Sequence, residues 1–185
     1  PAELPVTWNT ARGPVSLERP VIVGILNVTP DSFSDGGKFT SADAALAQAD
    51  QLLTDGAHIL DVGGESTRPG NEPVPADVEL SRVLPVVEAL ARRHPGVPVS
   101  VDTVKSEVAE AVLGAGAAIV NDVSGFRLDP RMATVAARSG AGVVLMHSRG
   151  TVATMARLDH AEYTPGVVQG VSVELAALLE QARAG

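Results

Sequence analysis

A chain of 185 residues with 45% hydrophobic side chains is long enough to bury one real core and too apolar to be disordered. Its net charge of −8 argues against general nucleic-acid binding, and the lack of cysteine rules out disulfide scaffolds, thiolate metal sites and cysteine nucleophiles. No apolar run approaches the ~18 residues of a membrane helix and no signal peptide opens the sequence, so a cytoplasmic protein without membrane partners is expected.

Residues 1–20 are irregular, with Val6-Thr7-Trp8 and Pro14-Val15-Ser16-Leu17 able to pair across Ala11-Arg12-Gly13 as a hairpin that plugs the bottom of the fold. The domain proper spans 21–185. Val21-Ile22-Val23-Gly24-Ile25-Leu26 is an apolar run of the kind buried on both faces of a parallel sheet. It stops at Asn27, and the oxygen-rich stretch Asn27-Val28-Thr29-Pro30-Asp31-Ser32-Phe33-Ser34-Asp35-Gly36-Gly37 follows as a loop. Ser41 is placed to cap a helix over 42–55, with Gly56 just beyond its end. A second strand over 58–62 leads into Gly63-Gly64-Glu65-Ser66-Thr67-Arg68-Pro69-Gly70. A helix over 76–93 precedes a third strand, 97–101, which ends in Asp102-Thr103. A helix over 104–115 precedes a fourth strand, 118–120, ending in Asn121-Asp122. A helix over 130–138 precedes a fifth strand, 143–146, ending in His147, and an amphipathic helix covers 166–183.

Strand and helix alternate five times, and the strands are near-continuous apolar runs, which predicts a parallel α/β sheet with covered faces. Every strand ends in polar residues, and in such folds those ends converge on one rim. Neither a G-x-G-x-x-G after the first strand nor a Walker lysine is present, so a (β/α)8 TIM barrel is favoured over Rossmann and P-loop folds. A barrel needs eight strands and typically about 250 residues. Only about the first five βα units are expected in this chain, and five tilted strands cannot close.

The Asn-Val-Thr-Pro-Asp-Ser-Phe-Ser-Asp-Gly-Gly loop, the Gly-Gly-Glu-Ser-Thr-Arg-Pro-Gly loop, the Ser-Val-Asp-Thr end and the Asn-Asp-Val-Ser-Gly end together resemble dihydropteroate synthase, over roughly residues 20–185. That resemblance implies condensation of p-aminobenzoate with 6-hydroxymethyl-7,8-dihydropterin pyrophosphate, with Mg²⁺, and inhibition by sulfonamides. It implies that Asn27 helps hold the pyrophosphate and its magnesium, and that Thr67 and Arg68 grip the same pyrophosphate. Asp102 and Asn121 would read the pterin ring and Met146 would pack on it. Phe33 and Pro69 would border the aminobenzoate, and Asp35 would help order the first loop. The complete family member is expected to be a homodimer.

Other polar residues carry plainer readings. Asp61, in mid-strand, reads as a buried group satisfied locally, Glu65 as a loop brace and Asp122 as a turn cap. His147 reads as packed or hydrogen-bonded, and Arg127 and Arg149 as solvated. His58, His94 and His160 show no metal-ligand spacing. The family continues past a helix like 166–183 with a further Asp, a Ser-Arg-Lys-Ser-like segment and Arg-x-His, none of which follows that helix here. A truncated pterin-binding fragment and a relative of pterin-dependent methyltransferases are therefore the alternatives, although a methyl donor needs no pyrophosphate-gripping first loop.

Overall fold

In the computed structural model, which describes residues 6–29, 41–65, 73–155, 162–164 and 166–184, the sheet grows strictly in chain order. Strands β3 (Val23–Asn27), β4 (Ile59–Gly63), β5 (Val99–Asp102), β6 (Ile119–Asp122) and β7 (Gly142–Leu145) are all parallel neighbours. A doubly wound sheet reverses direction partway. This one never does, so it is a section of barrel wall.

Helices α1 (Ser41–Thr54), α2 (Ala76–Arg93), α3 (Ser106–Ala115) and α4 (Arg131–Ser139) follow successive strands, and α5 (Val167–Ala184) packs against α4. One face of the sheet is sealed by them. Leu26, Leu60, Val62, Val101 and Val120 meet Val83, Val87, Val108 and Val112 in the main core, all fully buried. At roughly 1.5–3 kcal/mol per buried aliphatic side chain, this layer is the main source of stability. No helix among the described residues is long and apolar enough to cross a membrane.

The opposite, concave face differs from the sequence expectation. β3 alternates rather than being buried on both sides: Leu26 is sealed while Val23 and Ile25 are 48% and 62% exposed. Among the described residues, only the hairpin of β1 (Thr7–Thr10) and β2 (Gly13–Ser16) covers this face, and only at its lower end. There Trp8, Val15 and Val21 pack on Ile59, Ala118 and Ile119. Gly142 leaves room for this seat, since a Cβ on it would come 3.0 Å from the Trp8 ring.

Two element boundaries shift for local reasons. α3 starts at Ser106 rather than 104, because Thr103 Oγ1 accepts a hydrogen bond from Lys105 N (3.2 Å) in a turn that precedes the helix. β6 runs on through Asn121 and Asp122, whose backbones stay in register with Asp102 and Leu145. Asp129 ties two helix starts together: its Oδ2 accepts from Ser106 N (2.9 Å) and its Oδ1 from Arg131 N (3.1 Å). Partial burial works to raise its pKa, but these hydrogen bonds outweigh it and hold the carboxyl well below the usual range.

Asp129→Ala should therefore cost about 1–2 kcal/mol in urea unfolding, as for a lost helix cap. Because the folded pKa is depressed, the contribution is present above the ordinary carboxylate range and lost as pH falls below it. The gap between wild type and Asp129→Ala should shrink correspondingly in acid.

Candidate functional site

The register places the strand ends in one row. Asn27 pairs with Gly63, Gly63 with Asp102, and Asp102 with Asn121. Side chains alternate along a strand, so all four positions share the concave face, as do Asp61 and Ser100 one step below. Gly63 keeps the middle of the row open: a Cβ there would sit 3.5 Å from Asn27 Oδ1 and 3.8 Å from Asp102 Cβ, filling the space between them. The site floor is thus a groove lined by Asp61, Ser100, Asn121 and Val144, closed below by Trp8 and Ile119.

Asp61 departs from the reading that it is satisfied locally. Its Oδ2 accepts from Asn121 Nδ2 (3.1 Å), but its buried Oδ1 has no hydrogen-bond partner among the described residues. Asp61 therefore belongs to the floor of the groove, with an oxygen able to accept a hydrogen bond from an N–H donor. The signal was available in its place, two residues before the row on the same face of β4.

Asp102 sits among acids. Burial first, then the charges of Asp61, Glu79, Asp122 and Glu65, push its pKa up to about 7. A ligand presenting N–H donors relieves that repulsion, and the ionised carboxylate can accept two of them in parallel. Met146 lies just past β7, 42% exposed, its N–H bonded to Asp122 O (3.2 Å), so its thioether is free to receive a planar ring at the rim. Phe33, Asp35, Thr67, Arg68 and Pro69 lie outside the described residues.

The remaining polar groups brace the rim. Asp122 caps the turn after β6, its carboxylate accepting from Ser124 N (2.6 Å) and Phe126 N (3.3 Å). That turn carries Phe126 at φ 68°, fully buried, so the strained backbone is held by the cap and by the side chain's burial. His147 Nε2 meets Glu174 Oε2 of α5 at 2.8 Å, a packing role as expected. Arg149 corrects its solvated reading: it forks onto Glu174 and lies 3.8 Å from the Tyr163 ring centroid. Hydrogen bonds from Arg149 and then His147 bring the Glu174 pKa down to about 2. Arg127 likewise donates to Gly150 O rather than only to water. Pairings across so many residues leave no local pattern to read.

For a divalent cation the described residues offer Asn27, an amide oxygen at the mouth of the row; no group of three or more His, Cys, Asp or Glu among them could enclose a metal. An amide oxygen is a hard donor of the kind Mg²⁺ takes.

Comparison with known proteins identifies the family. Residues 23–185 match the model of the pterin-binding enzymes, and the chain belongs to that family. It is 56% identical over 132 residues to a dihydropteroate synthase of Bacillus subtilis, covering 71% of this chain and 46% of that protein. Among solved structures it superposes on Xanthomonas albilineans dihydropteroate synthase with 4-aminobenzoic acid at TM-score 0.86 and 41% identity, covering 98% of this chain and 62% of that one. It also superposes on Burkholderia cenocepacia dihydropteroate synthase complexed with 7,8-dihydropteroate at TM-score 0.82 and 40% identity, covering 99% and 60%. The chain spans about half the length of the Bacillus relative, so its sheet corresponds to part of the barrel of these proteins.

The raised pKa of Asp102 has a measurable consequence. If the ionised form accepts ligand N–H groups, affinity for a ligand that presents them rises about tenfold per pH unit up to about 7 and levels off above it. Asp102→Asn should abolish that slope in calorimetric titrations across this range. In the free protein the sign is opposite: a raised carboxyl pKa favours the folded state below the ordinary carboxylate range, and that contribution is lost as pH rises through about 7.

Proposed function

We propose that this pterin-binding chain carries the pterin and pyrophosphate half of a dihydropteroate synthase site. The reaction joins p-aminobenzoate to 6-hydroxymethyl-7,8-dihydropterin pyrophosphate in folate biosynthesis. The observation that carries the reading is the single row of Asn27, Gly63, Asp102 and Asn121 with the open oxygen of Asp61 beneath it. An aminopyrimidinone edge offers adjacent N–H donors and a carbonyl acceptor. Two carboxylates and an amide match that pattern, because carboxylates only accept while an amide does both.

In this reading Asp102, Asn121 and Asp61 orient the ring, and Met146 packs on its face. Asn27, Thr67 and Arg68 hold the pyrophosphate, Arg68 as a planar fork. Mg²⁺ held through Asn27 would neutralise charge on the departing pyrophosphate. The aminobenzoate nitrogen forms its bond to the pterin methylene carbon as the C–O bond to pyrophosphate breaks, the electron pair leaves with the pyrophosphate, and the amine proton passes to solvent. Arg68 and Thr67 stabilise the negative charge that grows on the leaving group. No covalent nucleophile is required, in keeping with a chain that has no cysteine. Phe33 and Pro69 would border the aminobenzoate, where sulfonamides of similar shape would compete, and Asp35 would order the first loop. The reading extends to a cytoplasmic homodimer as the complete enzyme, without nucleic-acid or membrane partners.

The test is dihydropteroate and pyrophosphate formation by the purified chain with Mg²⁺ and both substrates, alongside calorimetric binding of 6-hydroxymethylpterin. Turnover that drops about 10²–10³-fold in Asn27→Ala or Arg68→Ala supports the roles of these two residues. Asp102→Ala should weaken pterin binding by about 2–3 kcal/mol, the cost of losing a charged hydrogen-bond partner. A wild-type chain that binds no pterin would overturn the reading.

A further inference from the structure

The chain leaving β7 is gripped by a largely exposed helix. Along α5, Val167, Val168, Val173 and Leu179 are exposed, and Gly170 is its one buried residue. Its polar contacts are dense by comparison. Glu174 Oε2 meets His147 Nε2 at 2.8 Å and accepts from Arg149 Nε (3.0 Å), while Oε1 accepts from Arg149 Nη2. Arg149 is steadied in turn, donating from Nη1 to Glu162 O (2.8 Å) and lying against the Tyr163 ring. Tyr163 rests on Gly170, where a Cβ would run into its ring. A single exposed ion pair contributes little to stability. A forked guanidinium on an aromatic ring, sharing its carboxylate with an imidazole, is a network of fixed geometry.

That network lands one residue beyond Met146. The Met146 peptide is already held from the β6 side, where its N–H donates to Asp122 O (3.2 Å). Gly125, at φ 65°, lies so close that a Cβ there would come 3.1 Å from Met146 O and 2.6 Å from Leu178 Cδ1 of α5. β7 itself ends at Leu145, so past the Asp122 bond the course of the chain is set by what holds His147. The Met146 side chain stands exposed above this peptide. An unbranched thioether adapts its torsions to a ring, but their reach starts from the backbone. Glu174 thus completes a clamp on Met146, with β6 on one side and α5 on the other.

We propose that Glu174 is a positioning residue for pterin binding, holding His147 from α5 and so fixing the peptide from which Met146 packs on the ring. The proposal rests on the ring-packing role of Met146 in the synthase reading. Glu174 acts through Met146 and not on the ring itself. Without it the end of β7 is ordered only when the ligand arrives, and that ordering cost falls on the binding step.

The experiment is a double-mutant cycle in the intact chain, with 6-hydroxymethylpterin titrated calorimetrically into wild type, Glu174→Ala, Met146→Ala and the double variant. Glu174→Ala should weaken binding about fivefold when Met146 is present and less than about twofold when it is absent, because residues that act through one another are not additive. Glu174→Gln keeps the side chain's volume and one acceptor oxygen. It should lose less than Glu174→Ala, and it carries the same cycle if Glu174→Ala does not fold. An equal factor in both backgrounds, or no loss at all, would overturn the proposal, since a general loosening of the fold weakens binding whether or not Met146 is there. Should the wild type bind no pterin, the synthase reading fails by itself. Hydrogen exchange then decides the positioning role: the Met146 amide must exchange about tenfold faster in Glu174→Ala while β5 is unchanged, and a wild-type rate at Met146 sinks it.

Discussion

Parallel strand register is the constraint on which everything else in this protein depends. Four strands that stop in step bring an amide, a glycine, a carboxylate and a second amide side by side, although 94 positions separate the first from the last. No side chain chooses that arrangement alone. A slip of one residue in any strand would turn its polar end toward the helices and its apolar row into the groove. Alternation with Leu26, Val62, Val101 and Val120 on the helix side makes such a slip expensive, so the same burial that stabilises the domain also aligns the site.

The second organising element is an excess of buried negative charge. Asp61, Asp102, Asp122, Glu65 and Glu79, buried or half-buried, gather around the strand ends, with Lys105 paired to the two glutamates. Each acid is managed differently. Asp122 is answered by backbone N–H groups, Glu65 and Glu79 by the lysine, and Asp61 in part by Asn121. Asp102 is left to share the field of the others and to titrate near neutrality. It is the group best poised to change its charge when a donor-bearing ligand arrives.

How far the sequence is legible follows from the range of each interaction. Runs such as Val99-Ser100-Val101 and caps such as Gly116 act within a few residues, so the order of strands and helices can be read directly. The loop motifs carry the family resemblance, and Asn27, Asp102 and Asn121 do stand on one face as the strand-end argument requires. What could not be read acts over distance. Glu174 reaches back 25–27 residues to Arg149 and His147, and Lys105 reaches 26 and 40 residues to Glu79 and Glu65. The half-satisfied state of Asp61 and the exposed face of β3 depend on what does or does not cover the concave surface, which no local pattern encodes.

Under the proposed pterin reading, the open oxygen of Asp61 also bears on discrimination among look-alike heterocycles. A flat bicyclic compound of the right outline but with carbon or an acceptor where the donor should be would shut that oxygen away from water unpaired. Such pockets reject the analogue that lacks the hydrogen far more sharply than they reward extra apolar contact, by factors on the order of 10⁴–10⁵ in the best cases. Among compounds built to occupy this groove, those that keep an N–H pointed at β4 should therefore separate from close relatives by a wide margin, whatever is appended at the rim.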